Sequence, residues 1–394
     1  MNPARRGSLP VVLVTYSTKP RGGVVHTLEL AEALQRLGEP VSVVALGDPE
    51  QGFFRATAVP HTILRAPAPA PTLEERVADS LEALADGLAR LAHPPCILHT
   101  QDCISARAAA RVRDGGAAVV VVRTVHHVDD FTTQALVECQ RLAIVEPDHL
   151  LVVSEYWQRV LRSDFGVEAA IVTNGVDISR FSKPSDIDPA TLRARTGIAD
   201  RFVFLTVGGI EPRKGSAMLV EALGRLRDGS ERPPALVIVG GHSFQDHSAY
   251  RGQVLARAGA LGLEVGRDLI ILGTVGDDEI ASWYHAADAF VFPSVKEGWG
   301  LAVLEAQAAG TPVISTDIPV FREYLTENTA VLVPSGDATA LEGAMRRLMN
   351  TPELRGRLAG AGRRAAARYS WDACARRHRG IYGTLERPRD LGAA

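Results

Sequence analysis

The sequence predicts an α/β protein of two parallel-sheet domains, and three observations support this. Short apolar runs alternate with amphipathic stretches along nearly the whole chain, the pattern of βαβ units. At 394 residues the chain is too long for one ordinary core. The alternation also occurs twice, interrupted by a polar, Pro-containing segment from Ser182 to Asp200 that makes the best domain boundary.

Each element has its own signal. Val11 to Tyr16 is an apolar run and reads as a first strand, followed by a loop through Pro20, Arg21, Gly22 and Gly23 and a helix from Val24 to Leu37 that Gly38 ends. Val41 to Leu46 is the next strand. Alternating Ala and Pro from Ala66 to Pro71 read as a surface loop, because a helical pattern resumes at once from Leu73 to Leu91. Ile97 to His99, Ala118 to Val122 and Leu150 to Val153 are further buried strands. The second series begins at Phe202 to Val207, continues through a loop carrying Arg213, Lys214 and Gly215 into a helix from Ser216 to Leu226, and adds strands at Ala235 to Val239, Leu269 to Leu272, Phe290 to Phe292 and Val313 to Ser315. Helices from Pro352 to Tyr369 and from Trp371 to Leu385 close the chain. With no short-period repeat and no low complexity, the result is two similar Rossmann-like halves.

Composition excludes several classes. Hydrophobic residues at 46% and charged residues at 23% describe a globular protein, and a formal net charge of −3 argues against nucleic-acid binding. Cys96, Cys103, Cys139 and Cys374 are scattered, without a C-x-x-C pair or zinc spacing, and read as reduced thiols. No apolar stretch approaches the ~18 residues that a membrane span needs, and the strand after Met1 to Pro10 is too short for a signal-peptide core. These features lead us to expect a cytoplasmic protein, with peripheral contact at the inner membrane face left open.

The chemistry concentrates between Pro293 and Val313. Pro293 stops the strand before it, so Glu297 lies on a turn beyond a strand's carboxyl end, where open parallel sheets bind ligands. Gly298 and Gly300 flank Trp299 and let backbone approach a ligand. Free N–H groups at the helix start near Leu301 attract anionic oxygens. Leu301, Leu304 and Ala308 follow helical spacing, which puts Glu305 within two turns of the same mouth. One ionised carboxylate can accept from both hydroxyls of a vicinal diol such as a ribose. Alone, Glu297 is an ordinary turn residue and Glu305 an ordinary solvated helix residue; together, around a glycine pair that suits a diphosphate, they fit a sugar nucleotide.

This segment and the two halves resemble the GT-B glycosyltransferases of the retaining family 4 type, over nearly the whole chain. Arg21 to Leu34 is similar to the family's first glycine loop and helix, with Gly22 and Gly23 facing donor phosphates or acceptor. Val125-His126 matches the place where such enzymes hold a histidine against the donor sugar, and Asn174 to Asp177 matches the turn that ends their first domain. Val207 to Gly215 resembles the diphosphate loop. The resemblance implies two Rossmann-like domains with parallel sheets facing across a cleft that closes on binding. The N-terminal, acceptor-side domain would span 1–180 and be completed by the C-terminal helix 371–394; the donor-side domain would span 181–370.

The same resemblance implies the roles. Lys214, His126 and Glu297 would be the catalytic residues; Gly22, Gly23, Arg213, Val275, Gly298, Trp299, Gly300, Leu301 and Glu305 would contact the donor, the backbone near Thr274-Val275 meeting the base. Many members carry Val-Gly-Arg where this chain has Gly209. Either Arg213 supplies that guanidinium or Lys214 neutralises the diphosphate with backbone amides alone. His99 and Asp102 would line the acceptor side. His126 and His127 are adjacent, and either could face the site. Asp129-Asp130 and Asp277-Asp278 read as solvated helix starts, so neither a metal nor a cofactor is expected.

The implied reaction is metal-independent, front-face transfer of a hexosyl group from a nucleoside diphosphate-sugar to a sugar, lipid-linked or small-molecule acceptor. A nucleotide-sugar epimerase, a disaccharide synthase and a catalytically silent nucleotide binder share these motifs. The Gly-x-Gly-x-x-Gly of a dinucleotide oxidoreductase is missing after Val11 to Tyr16.

Overall fold

Thirteen strands among the described residues form two separate sheets, each wholly parallel. The computed structural model describes residues 9–91, 95–227, 233–241 and 245–385, so most of Met1 to Pro10 and the end of the 371–394 segment lie outside the described residues. The chain divides into two units, Met1–Gly175 with Trp371–Ala394, and Val176–Ser370.

The first unit holds β1 (Val11–Thr15), β2 (Val41–Gly47), β3 (His61–Arg65), β4 (Cys96–Thr100), β5 (Val119–Val125), β6 (His149–Val152) and β7 (Ala170–Ile171), in the order β3-β2-β1-β4-β5-β6-β7. The second holds β8 (Val203–Val207), β9 (Ala235–Val239), β10 (Leu269–Gly273), β11 (Ala289–Phe292), β12 (Val313–Thr316) and β13 (Val331–Val333), in the order β10-β9-β8-β11-β12-β13. Counted within each unit, both sheets contain the Rossmann order 3-2-1-4-5-6, to which the first adds a seventh strand at its edge. The order reverses between β1 and β4 and between β8 and β11, and ligands of such sheets bind beyond the carboxyl ends at that reversal.

The central strands are buried on both faces, which is why they read as unbroken apolar runs. In the second unit Phe204, Leu236, Val291 and Ile314 from four strands share one core with Leu219, Leu223, Leu341 and Met345 from two helices. The helix Trp371–Tyr382 packs on the helix Gly22–Arg36 within the first unit, fixed at its rim by Arg36 to Asp372 (2.7 Å).

Three sequence expectations are corrected. Gly22 and Gly23 are the first two residues of the helix Gly22–Arg36, not a preceding loop. Asp129 and Asp130 stand in a loop ahead of the helix Gln134–Val145, where the Gln140 side chain bonds both backbone groups of Asp129 (2.7 and 3.0 Å). The 182–200 segment, read as the domain boundary, lies inside the second unit, where Leu192 is fully buried and Arg193 reaches the Asp288 carboxylate (2.8 Å).

Candidate active site

In the second unit the loops leaving β8 and β11 meet at the sheet reversal. Pro212–Lys214 forms a single tight turn, and Gly215 leaves it in the left-handed region (φ +66°), where a Cβ would strike the Pro293 carbonyl. That close approach brings two cations to one carboxylate. Arg213 Nη1 donates to Glu297 Oε1 (2.9 Å) and to the Lys296 carbonyl (3.1 Å), while Lys214 Nζ donates to the same Glu297 oxygen (2.8 Å) and lies 4.5 Å from the Phe292 ring centroid. Glu297 is 7% exposed. Burial pushes its carboxyl up, but Arg213 and Lys214 pull it beyond its ordinary value to about 2. Burial lowers the Lys214 ammonium against the pull of Glu297.

Gly209 accounts for the departure noted above. It sits at φ +76°, and a Cβ there would lie 2.7 Å from the Gly241 carbonyl oxygen, so this backbone strains any side chain at 209. The guanidinium beside Glu297 is that of Arg213.

Beyond Glu297 the chain enters the helix Leu301–Ala309. Gly300 precedes it with φ +91°, no side chain caps it, and its first turn carries no acidic residue. A helix start of this kind is suited to receive an anion at its first N–H groups. Trp299 is buried, stacks on Tyr324 (4.8 Å between centroids) and accepts the Tyr324 hydroxyl at its carbonyl (2.8 Å), which fixes the Gly298–Gly300 loop. Glu305 lies one turn into that helix, half-buried, with Tyr284 Oη donating to Oε2 (2.6 Å). Burial raises its carboxyl, opposed by Tyr284 and Arg180. Val275, half-buried, follows β10 and precedes the helix Asp277–Ala286. Asp277 opens that helix and pairs with Arg180 (2.6 Å).

In the first unit the equivalent reversal lies between β1 and β4. Helix Gly22–Arg36 also starts without a side-chain cap or a first-turn acid. Neither Gly22 nor Gly23 is left-handed, and a Cβ at Gly22 would meet nothing within 4 Å, so the fold itself does not demand glycine there. The Arg21 guanidinium bonds the Tyr16 phenol, whose pKa burial pushes up to about 12. His126 directly follows β5. Gln101, directly after β4, places its side-chain amide 3.1 Å from His126 Nε2. Burial, then His127 and Arg123, depress this imidazole to about 3. His127 faces Asp129 (3.3 Å).

His99 is corrected. His99 is fully buried, with Nδ1 bonded to Tyr382 Oη (2.6 Å) and Nε2 to Thr124 Oγ1 (2.8 Å), and belongs to the core. Asp102 caps the helix Cys103–Asp114, one oxygen accepting from Ser105 N (2.7 Å) and the other from Tyr16 N (3.0 Å). The sequence reading missed Tyr284 and Gln101, which orient Glu305 and His126 from 21 and 25 residues away, because such pairings leave no local spacing.

Two family models match the chain: glycosyl transferases group 1 over residues 189–365, and glycosyltransferase family 4 over residues 20–180. A phosphatidyl-myo-inositol mannosyltransferase of Mycobacterium leprae is 28% identical over 393 residues, covering 95% of this chain and 96% of its own. A D-inositol 3-phosphate glycosyltransferase of Frankia alni is 36% identical over 217 residues, 52% of this chain and 50% of that one. Among solved structures, a sucrose-phosphate synthase from Thermosynechococcus elongatus (TM-score 0.77, 23% identity, 95% of this chain and 98% of that one) and Anabaena HepE in complex with UDP and glucose (TM-score 0.77, 18% identity, 96% and 100%) share the fold. With both halves matched and both sheets in Rossmann order, the chain belongs to the group 1 glycosyltransferases of GT-B fold.

Proposed function

We propose that the chain transfers a hexosyl group from a nucleoside diphosphate-sugar to an acceptor hydroxyl, with retention at the anomeric carbon and without a metal ion. The observation that carries this reading is the convergence of Arg213 and Lys214 on Glu297 beside the uncapped helix start at Leu301. The barrier is loss of a diphosphate as an oxocarbenium-like centre forms, so stabilising the departing charge dominates. A diphosphate drawn to these cations and to the N–H groups after Gly298 frees the Glu297 oxygen to accept from sugar hydroxyls. Glu305 takes the ribose and the backbone at Val275 the base.

In a front-face step the bond from the anomeric carbon to the phosphate oxygen breaks, the acceptor oxygen bonds on the same face, and its proton passes to the departing phosphate oxygen. No protein base is needed. An imidazole held at about 3 is a poor proton acceptor near neutrality, which supports His126 as a group that orients the sugar and stabilises charge. Gly22 and Gly23 leave room for the phosphates or the acceptor.

The names of both relatives contain inositol, which favours a cyclic polyol acceptor, free, phosphorylated or lipid-borne. Among the described residues no helix is long and apolar enough to cross a membrane, so a lipid-borne acceptor would be met by peripheral contact, in our reading at the cytoplasmic face. The test supplies GDP-mannose, UDP-glucose or ADP-glucose with myo-inositol, an inositol phosphate or phosphatidylinositol vesicles in EDTA, and follows glycosylated product and its anomer. Retained product in EDTA is expected. A strict divalent-metal requirement or an inverted product overturns the mechanism, and donor turnover without acceptor favours an epimerase.

A further inference from the structure

Glu297 and Glu305 are eight residues apart in one segment, yet the protein treats them differently. Glu297 is balanced by two cations. Glu305 has none bonded to its oxygens, with Arg180 and Asp277 acting on it through space in opposite senses; its one hydrogen bond among the described residues comes from a neutral phenol, Tyr284 Oη to Oε2 at 2.6 Å.

Tyr284 is itself tightly held. Its ring is fully buried on the helix Asp277–Ala286, edge-on to Phe181 (5.7 Å) and tilted against Phe290 (5.6 Å), and its carbonyl accepts the Thr311 hydroxyl (2.7 Å). A short hydrogen bond from a ring that cannot rotate away fixes the carboxylate plane. Oε1 has no hydrogen-bond partner among the described residues.

We propose that Tyr284 is the positioning residue of the nucleotide site: its phenol occupies Oε2 of Glu305, favours the ionised carboxylate and leaves Oε1 presented to the ribose hydroxyls. The inference rests on the reading of Glu305 as a nucleotide ligand. The packing of Tyr284 has a structural role of its own, which Tyr284→Phe preserves because only the hydroxyl is lost.

The experiment titrates UDP, GDP and ADP separately into the wild type, Tyr284→Phe, Glu305→Gln and the double variant, from pH 5 to 8, with unliganded melting temperatures as a check on folding. We expect Glu305→Gln to weaken the nucleotide that binds wild type at least tenfold and Tyr284→Phe to weaken it three- to tenfold. The acid limb of binding in Tyr284→Phe should move to higher pH, because its carboxylate loses a donor to the charged form. Tyr284→Phe should add nothing in the Glu305→Gln background. Should Tyr284→Phe not fold, 3-fluorotyrosine placed at 284 strengthens the same donor and should move the acid limb to lower pH. Wild-type binding in Tyr284→Phe alongside weak binding in Glu305→Gln overturns the proposal alone, as does full additivity or an unmoved limb. Wild-type binding in Glu305→Gln overturns the nucleotide reading of Glu305, and the proposal with it.

Discussion

At 7% exposure Glu297 is held ionised chiefly by two cations that share one of its oxygens, and that balance makes the site's variants predictable. Lys214→Ala should lower turnover more than ground-state donor affinity, since charge on the departing diphosphate peaks in the transition state. Steady-state kinetics with unchanged kcat would remove Lys214 from the diphosphate. A charge-assisted hydrogen bond is worth roughly 1.5–3 kcal/mol, so Glu305→Ala should weaken nucleoside diphosphate binding by about ten- to a hundredfold in a calorimetric titration. Gly209→Arg, which restores the residue common in the family, should destabilise by about 1–3 kcal/mol in denaturant melts, because φ +76° and the Gly241 carbonyl leave a side chain no unstrained place. Arg213, Lys214, Glu297 and Glu305 were legible in the sequence because each belongs to a local motif. Tyr284 and Gln101 were not, because a hydrogen bond between elements has no signature in spacing, and His99 misled because a histidine in a buried strand looks like one beside a cleft.

Among elements, the central strands were legible and the edges were not. β3 holds only Ile63 and Leu64 as large apolar residues and is largely exposed, while β7 at two residues and β13 at three are apolar but too short to stand out as strands. The helix Trp371–Tyr382 carries the second element-scale consequence. Its His378 packs with His26, His99 and Tyr382 in a wholly buried cluster, and burial depresses His378 to about 4 and holds His26 and His99 well below their ordinary value. An unfolded chain binds these protons near pH 6.5, so between that pH and about 4 the unfolded state holds more protons and stability rises with pH. The contribution is complete above pH 6.5 and lost on acidification, roughly 3 kcal/mol from His378 by pH 4. Melting midpoints should fall steadily from pH 6.5 to 4, and less so in His378→Gln; a midpoint flat to pH 4.5 contradicts the buried neutral cluster.

At the scale of the molecule, two halves with one strand order explain why the same chemistry can be assembled from two short stretches. In each unit the sheet reverses between its first and fourth strands, and in each a helix begins at that reversal without cap or acid, at Gly22 and at Leu301. The two halves were legible because a parallel sheet writes its period twice into the chain. Donor base, sugar and acceptor were not, because backbone atoms and hydroxyl geometry select them. The proposed function requires that the second unit's cations and Glu305 bind a nucleoside diphosphate. Thermal shift with UDP, GDP, ADP and NAD at saturation, in EDTA, tests it most directly, since a ligand of the native state raises the midpoint by mass action. A nucleoside diphosphate should raise the midpoint of the wild type and raise it less in Lys214→Ala and Glu305→Ala. A shift by NAD alone, by none of them, or one left unchanged in both variants contradicts it.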